Sequence, residues 1–252
     1  MQAQGYLKGR PVSLVILDYG LFRVHSNGRV IGICGYLIRT DAGENVLVDT
    51  GFPAKYTEDA EAATQEDRLY EFGEVLSCTP ENLAIAQLAK AGVKPEDITL
   101  HILTHSHIDH VGGLADFPRA PIVVAKAERV LPKPLYWRSA QPMDWPEATY
   151  LTVDGDVEVG PGLHLLLVPG HAPGQLALRF NLPEAGPVLL TSDAISRPAE
   201  IEEAFAGSWD EALAIASGAR LMEMAEAEGA MVIYGHCPDQ WPELRKSPEA
   251  YL

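Results

Sequence analysis

Basic residues are scarce in this chain: 19 lysines and arginines stand against 35 aspartates and glutamates, for a net charge of −16. No lysine or arginine cluster interrupts that balance. A nucleic-acid binder needs a basic footprint to neutralise phosphates, so that class is excluded, and anionic membrane surfaces and polyanionic substrates are repelled. A small neutral substrate is the easier partner, although bound cations can reverse the field locally. Cysteine is scarce too. Cys34, Cys78 and Cys237 are odd in number and widely spaced, which leaves no disulfide framework or zinc knuckle and favours a reducing, cytoplasmic setting. No apolar run approaches the ~20 residues of a membrane span, and the segment from Met1 to Arg10 lacks the apolar stretch of a secretory signal. What the chain has is apolar content, 47% of 252 residues, enough for one domain over residues 1–252 with a sizeable core.

Short apolar runs bounded by Gly, Pro, Asp and Asn predict buried strands. They cover Val12 to Leu17, Ile31 to Ile38, Val46 to Val48 and Ile98 to Leu103, then Ile122 to Val124, Leu163 to Val168, Leu176 to Phe180, Val188 to Leu190 and Met231 to Tyr234. Helical signals lie between them. Thr79 with Pro80 predicts a helix start that Gly92 ends, and Ser208 with Glu211 predicts a capping box on a long helix ending near Gly229. Leu213, Ala216, Arg220, Leu221 and Met224 recur at helical spacing on it, with the methionines read as core filling. Strands precede helices in each half, which suits two sheets with helices on their outer faces, an α+β arrangement. The Pro-rich stretch from Leu131 to Pro146, with Trp137 and Trp145, reads as an irregular loop, either a surface excursion or a wall of a site.

The chemistry concentrates at strand ends. His105, His107, Asp109 and His110 fall within six residues directly after an apolar strand, and Gly112-Gly113 follows to permit a tight turn. Three imidazoles and a carboxylate suit zinc, and also iron, cobalt or manganese. Other candidates stand at the same end of their own strands: Asp49 after Val46 to Val48, His171 after Leu163 to Val168, Asp193 after Val188 to Leu190, and His236 after Met231 to Tyr234. His101 shares strand parity with His105, so it is either structural or a support behind the ligands.

In this set of motifs the chain resembles the metallo-β-lactamase superfamily, over nearly its whole length from about Val12 to Asp239: Asp49, then His105-x-His107-x-Asp109-His110, then His171, Asp193 and His236, in that order. The resemblance implies a four-layer αββα sandwich and two divalent metal ions per chain. By the same carry-over His105, His107 and His171 hold the first ion, and Asp109, His110 and His236 the second. Asp193 bridges them, and Asp49 stands behind the ligands, hydrogen-bonded to them. Two such metals share a hydroxide, the expected nucleophile, and Asp109 becomes the catalytic proton carrier to the leaving alkoxide.

A bridging carboxylate at 193 argues against an antibiotic-hydrolysing member, and His107, where diiron oxygen reductases carry Glu, argues for hydrolysis over redox chemistry. Within the hydrolases the chain is most similar to the quorum-quenching N-acyl homoserine lactonases, through Leu47-Val48-Asp49-Thr50-Gly51-Phe52-Pro53, Thr104-His105-Ser106-His107, Pro169 to Gly174 and Val188 to Ala194. A neutral lactone is then the substrate, and a homodimer the assembly that the resemblance implies. Two departures stand out: Ser196 occupies the position three residues after the bridging Asp, where those lactonases carry a Tyr that helps hold the substrate carbonyl, and Gln175 stands where a His is common. By position, Leu21, Phe22, His25 and Phe72 are candidates to receive the acyl chain. Two other readings stay open: a thioester hydrolase of the glyoxalase II kind, which the lack of a basic C-terminal extension disfavours, and a redox or non-catalytic metal binder.

Overall fold

The computed structural model describes residues 2–136 and 140–252; Trp137 of the Pro-rich loop lies outside them. Twelve strands are found among the described residues. They are β1 (Pro11–Val24), β2 (Val30–Thr40), β3 (Asn45–Val48), β4 (Gly73–Ser77), β5 (Ile98–Ile102), β6 (Ile122–Ala125), β7 (Tyr150–Val153), β8 (Val157–Gly160), β9 (Leu163–Leu167), β10 (Leu176–Leu182), β11 (Gly186–Ser192) and β12 (Met231–Tyr234). They form two mixed sheets, ordered β4-β1-β2-β3-β5-β6-β7 and β12-β11-β10-β9-β8. The parallel pairs are β3–β5, β5–β6 and β6–β7 in the first sheet and β11–β12 in the second.

Every expected apolar run became a strand, and three strands were missed. β4, β7 and β8 are edge strands with partly wet faces (burial alternates or frays along them), so they lack the continuous apolar run that marks a strand covered on both sides. The period-two alternation explains the layers. Leu14, Ile16, Ile38 and Val46 face inward against Leu165, Leu178, Leu190 and Ile233 of the second sheet. Their neighbours Val15, Leu17, Leu37 and Leu47 face outward, under α1 (Ala60–Glu66) and α2 (Ala84–Lys90), which contribute Ala63, Ala84 and Leu88. Each fully buried leucine or isoleucine contributes roughly 1.5–3 kcal/mol. Two four-residue helices follow, α3 (Ile108–Val111) and α4 (Lys126–Arg129), and then α5 (Ala199–Glu202). The outer face of the second sheet is covered by α6 (Glu211–Glu228), so the order is helices, sheet, sheet, helix, the four-layer αββα sandwich.

Three helix details differ from the expectation. Thr79 caps a 3-10 turn at Pro80–Asn82, and α2 starts only after Leu83, because Pro80 and its turn use up the first residues. Asp210, not Ser208, caps α6: its side chain accepts from the Leu213 N–H, while Glu211 reaches back to the Gly207 N–H. Gly229 ends α6 in the left-handed region, at φ 62°. The buried face of α6 is Ala214, Ser217, Gly218, Leu221 and Ala225, so Leu213 (40% exposed) points to solvent. Small side chains let the helix sit close on the sheet, and the stripe is rotated about one residue from the one predicted. Met224 does pack against the core, partly buried, with Met222.

Candidate metal centre

Because β3 and β5 run parallel, their carboxyl ends open at one edge of the sandwich, and the ends of β9, β11 and β12 meet them there. The backbone ties are direct. Asp49 N–H donates to the Ile102 carbonyl (3.0 Å), Leu176 N–H crosses between the sheets to the Thr104 carbonyl (2.8 Å), and His236 N–H donates to the Ser196 carbonyl (2.9 Å). His105 and His107 leave the end of β5 in extended chain, and Asp109 and His110 come from the first turn of α3. Gly112 has helical dihedrals, not a special turn; it is needed because a Cβ there would lie 2.1 Å from the Phe52–Pro53 backbone.

The seven predicted donors converge in three overlapping groups: His105, His107 and His171; His105, His110 and Asp193; Asp109, His110 and His236. Asp193 lies between the outer two. Its Oδ2 faces His171 Nε2 (3.4 Å) and His105 Nε2 (3.9 Å), and its Oδ1 faces His236 Nε2 (3.2 Å) and His110 Nε2 (3.7 Å). Asp109 Oδ2 lies 3.5 Å from His236 Nε2 and 3.6 Å from His110 Nε2. Donors ~2.0–2.1 Å from a tetrahedral ion lie ~3.3 Å from one another, close to these separations. Nε2 of His105 and of His110 and Oδ1 of Asp193 are buried and have no hydrogen-bond partner among the described residues, which polar atoms in a dry interior tolerate when a cation completes them. The residues present therefore fit a pair of divalent ions.

The groups behind the donors set the tautomers. His110 Nδ1 donates to Asp49 Oδ2 (2.8 Å) and His236 Nδ1 to the Gly32 carbonyl (2.9 Å), acceptors that can only receive. Thr104 Oγ1 donates to Asp49 Oδ2 (2.7 Å), so its contact with His105 Nδ1 (3.2 Å) is a bond it accepts. All three imidazoles thus present Nε2 to the centre as the nitrogen left for a cation. Asp49 thus sits behind His110 and also accepts from the Thr104 N–H (2.9 Å).

Charge follows burial and neighbours. Burial lowers the pKa values of His105, His107 and His171, with neighbouring imidazoles adding to the effect at His105 and His107. Burial acts the same way on His110 and His236, but carboxylates outweigh it: Asp109, Asp49 and Asp193 raise His110 to about 10, and Asp193 and Asp109 raise His236 to about 9. Both rings are therefore protonated at pH 7 in the ion-free protein, with protons where the second cation belongs. Zinc added at pH 7 is expected to release at least about two protons per chain, and the share from these two rings disappears as pH rises through 9 to 10. Calorimetry in two buffers of different ionisation enthalpy reads this number, and no release at pH 7 contradicts the protonated pair.

Beside the donors opens a cavity of about 520 Å³. Phe22, Phe72 and Ser196 line it as expected, with Ile31, Phe52 and Leu69. Leu21 and His25 are not on its wall. Leu21 alternates away from Phe22 along β1, and the exposed His25 ring contacts the Tyr70 carbonyl (3.0 Å). His101 is fully buried beside the Phe117 ring, with neither ring nitrogen partnered among the described residues and its pKa lowered to about 3 by burial, so it is a neutral core side chain that touches none of the donors.

Beyond the apolar wall, two residues stand out among those the sequence reading missed. Glu128, fully buried in α4, accepts from the N–H and hydroxyl of Ser106 and from the Gly174 N–H (2.9 Å), so it clamps the loop of His105 and His107 to the loop of His171. In the sequence it stands in Lys-Ala-Glu-Arg, which reads as a solvated helix face. Tyr136, from the Pro-rich stretch, lines the cavity, so that part of the stretch is a wall of the site. Trp145 is turned away, against Arg129 and Tyr150.

A sequence profile described as the metallo-beta-lactamase superfamily matches residues 35–236. An N-acyl homoserine lactonase of Bacillus cereus is 35% identical over 228 residues, which cover 85% of this chain and 84% of that protein. The N-acyl homoserine lactonase AttM of Azorhizobium caulinodans is 32% identical over 180 residues, 66% of this chain and 68% of that one. The solved structure of an N-acyl homoserine lactone hydrolase, with the product N-hexanoyl-L-homoserine at its catalytic metal center, superposes with a TM-score of 0.84 at 28% identity, covering 97% of this chain and 100% of that one.

Proposed function

The chain belongs to the metallo-β-lactamase superfamily, and we propose that within it the protein is a dinuclear-metal lactonase, one catalytic domain that opens the ring of N-acyl homoserine lactones. The observation that carries this reading is the pair of donor clusters sharing Asp193 at the end of an apolar-walled cavity. His105, His107 and His171 would hold one ion, Asp109, His110 and His236 the other, and Asp193 both. Zinc suits this donor set, and iron, cobalt and manganese bind the same groups. When bound, such a pair supplies Lewis acidity toward a carbonyl oxygen and hydroxide at neutral pH.

The chain's own residues do the rest. Asp49, Thr104 and the Gly32 carbonyl keep three imidazoles oriented, so the site needs little reorganisation during the reaction. Asp109 is on the cavity wall with its side chain 18% exposed, placed to carry a proton to the leaving alkoxide as the ring opens. Phe22, Ile31, Phe52, Leu69 and Phe72 offer an apolar surface to the acyl chain. The acidic chain favours this neutral substrate, and three unpaired cysteines favour a reducing, cytoplasmic setting. No helix among the described residues is long and apolar enough to cross a membrane. The thioester reading has less support: the relatives named above are lactonases, and Arg245 and Lys246 are stacked on Tyr251 and Trp241.

A panel of lactones and thioesters, read by proton release on protein of measured metal content, tests the assignment. Rapid opening of acyl-homoserine lactones is expected, lost on chelation and regained with zinc. Thioester cleavage without any ring opening would overturn it.

A further inference from the structure

Outside the donor set, three carboxylates line the cavity: Glu71, Glu200 and Glu203. Among the described residues Glu71 is paired with Arg68 and Glu203 with Arg197, and Glu200 has no ion pair. Ala199, Ile201 and Glu202 of α5 are exposed, and Glu200 alone of that helix is turned inward. Its Oε2 accepts from the Ser196 N–H (2.7 Å), and the Ser196 carbonyl accepts from the His236 N–H (2.9 Å), so one residue of chain separates the carboxylate from a metal donor. Oε1 has no hydrogen-bond partner among the described residues, and it is not among the atoms sealed from solvent. Burial raises the pKa of the Glu200 carboxyl, the Ser196 N–H lowers it, Asp193 raises it, and Arg197 and His236 lower it, so the group stands within the field of the donor clusters.

A carboxylate oxygen accepts hydrogen bonds and offers none. An N-acyl homoserine lactone brings one donor, its amide N–H, on the ring carbon beside the reacting carbonyl, with the nitrogen about 2.5 Å from the carbonyl carbon. With its ester at the donor clusters, the substrate therefore carries that N–H to the wall next to them, where Ser196 and Glu200 stand. We propose that Oε1 of Glu200 accepts the amide N–H of the bound lactone, which makes Glu200 a specificity residue selecting lactones with an acylated nitrogen beside the carbonyl. The Ser196 hydroxyl both donates and accepts, so it discriminates less between a substrate N–H and a water. A carboxylate whose second oxygen is already held by a backbone N–H is fixed in direction, and a lactone without the amide leaves it unpaired.

The inference rests on the lactonase reading, and Glu200→Gln separates the two. Glutamine keeps the Ser196 bond with its one acceptor oxygen only by turning its NH2 to where Oε1 stood, a donor facing a donor. The substrates compared are N-hexanoyl homoserine lactone and α-hexyl-γ-butyrolactone, which carries its chain on the same ring carbon without an amide. The wild-type preference for the amide lactone, read as the ratio of the two kcat/KM values, is expected to fall at least about tenfold in the variant. The loss should come through KM, with kcat for the amide lactone changed less than about threefold, because the N–H is bound alike before and during ring opening. Glu200→Ala, which removes the acceptor outright, should lower the same ratio, and zinc content should match the wild type in both variants. If wild-type protein opens the lactones and the ratio stays within about threefold in both variants, even where activity toward both substrates falls together, the specificity role is overturned and the lactonase reading stands. If wild-type protein opens neither lactone, both fall together.

Discussion

Asp193→Asn is expected to lower lactone turnover by at least about 1,000-fold and to leave no more than about one tightly held ion per chain. One carboxylate here serves two clusters, with Oδ2 toward His171 and His105 and Oδ1 toward His236 and His110. An amide has one acceptor oxygen and a nitrogen without an available lone pair, so one cluster loses its shared donor whichever way Asn turns. The side chain has no room to compensate. Ser192 before it is held at φ 45°, an uncommon conformation for a non-glycine residue, and its hydroxyl is bonded to Thr104 Oγ1 (3.0 Å). On the other side Gly235 packs so closely that a Cβ would lie 2.7 Å from Asp193 Oδ1. The charge matters as well, since His236 and His110 hold the Asp193 carboxyl ionised, well below its usual range, despite burial that acts to raise it. Metal analysis of the purified variant beside its turnover decides the matter; two ions retained with activity within about tenfold of wild type would sink the shared-donor role.

The donor set was legible because it obeys a positional rule: Asp49, His105, His171, Asp193 and His236 all follow the carboxyl end of an apolar run, and the topology brings those ends to one edge. Strands buried on both faces were legible for the same reason, as continuous apolar runs. What failed to show depends on contacts that sequence spacing does not encode. Glu128 is 22 residues from Ser106 and 46 from Gly174, and a glutamate in a charged four-residue helix looks solvated until the two loops close over it. Tyr136 belongs to a Pro-rich stretch without periodicity, so no pattern says which way it points. Leu21 and Phe22 are neighbours of like chemistry, and only the pleat of β1, whose register shifts between Asp18 and Leu21, decides that Phe22 faces the cavity. The capping of α6 slipped from Ser208 to Asp210 because both offer an oxygen at the same helix start, and the tertiary position of Gly170, whose carbonyl accepts the Asp210 N–H (2.9 Å), selects between them.

Asp49→Asn carries the second large effect, and its signature differs from that of Asp193→Asn because Asp49 touches no ion site directly. Its carboxylate accepts three bonds: the Thr104 N–H on Oδ1, and the Thr104 hydroxyl and His110 Nδ1–H on Oδ2. An asparagine must turn its NH2 toward one of those donors. With its oxygen toward His110, the NH2 meets the Thr104 N–H; reversed, it confronts His110 and frees that ring to change tautomer. Asp49 is 1% exposed, so the mispaired group stays dry and costs about 1–3 kcal/mol of stability. The lost negative charge also removes part of what makes the His110 ring electron-rich, and such partners are worth 10–100-fold in metal affinity. The expected protein is folded, lower in Tm, and depleted in the ion held by Asp109, His110 and His236, with turnover that climbs back toward wild type as zinc is raised into the weakened range. That recovery separates a residue that orients a ligand from one that is a ligand. Titrating zinc against activity for both variants makes the comparison, and an Asp49→Asn protein that zinc fails to rescue would place Asp49 among the groups that act on the substrate itself.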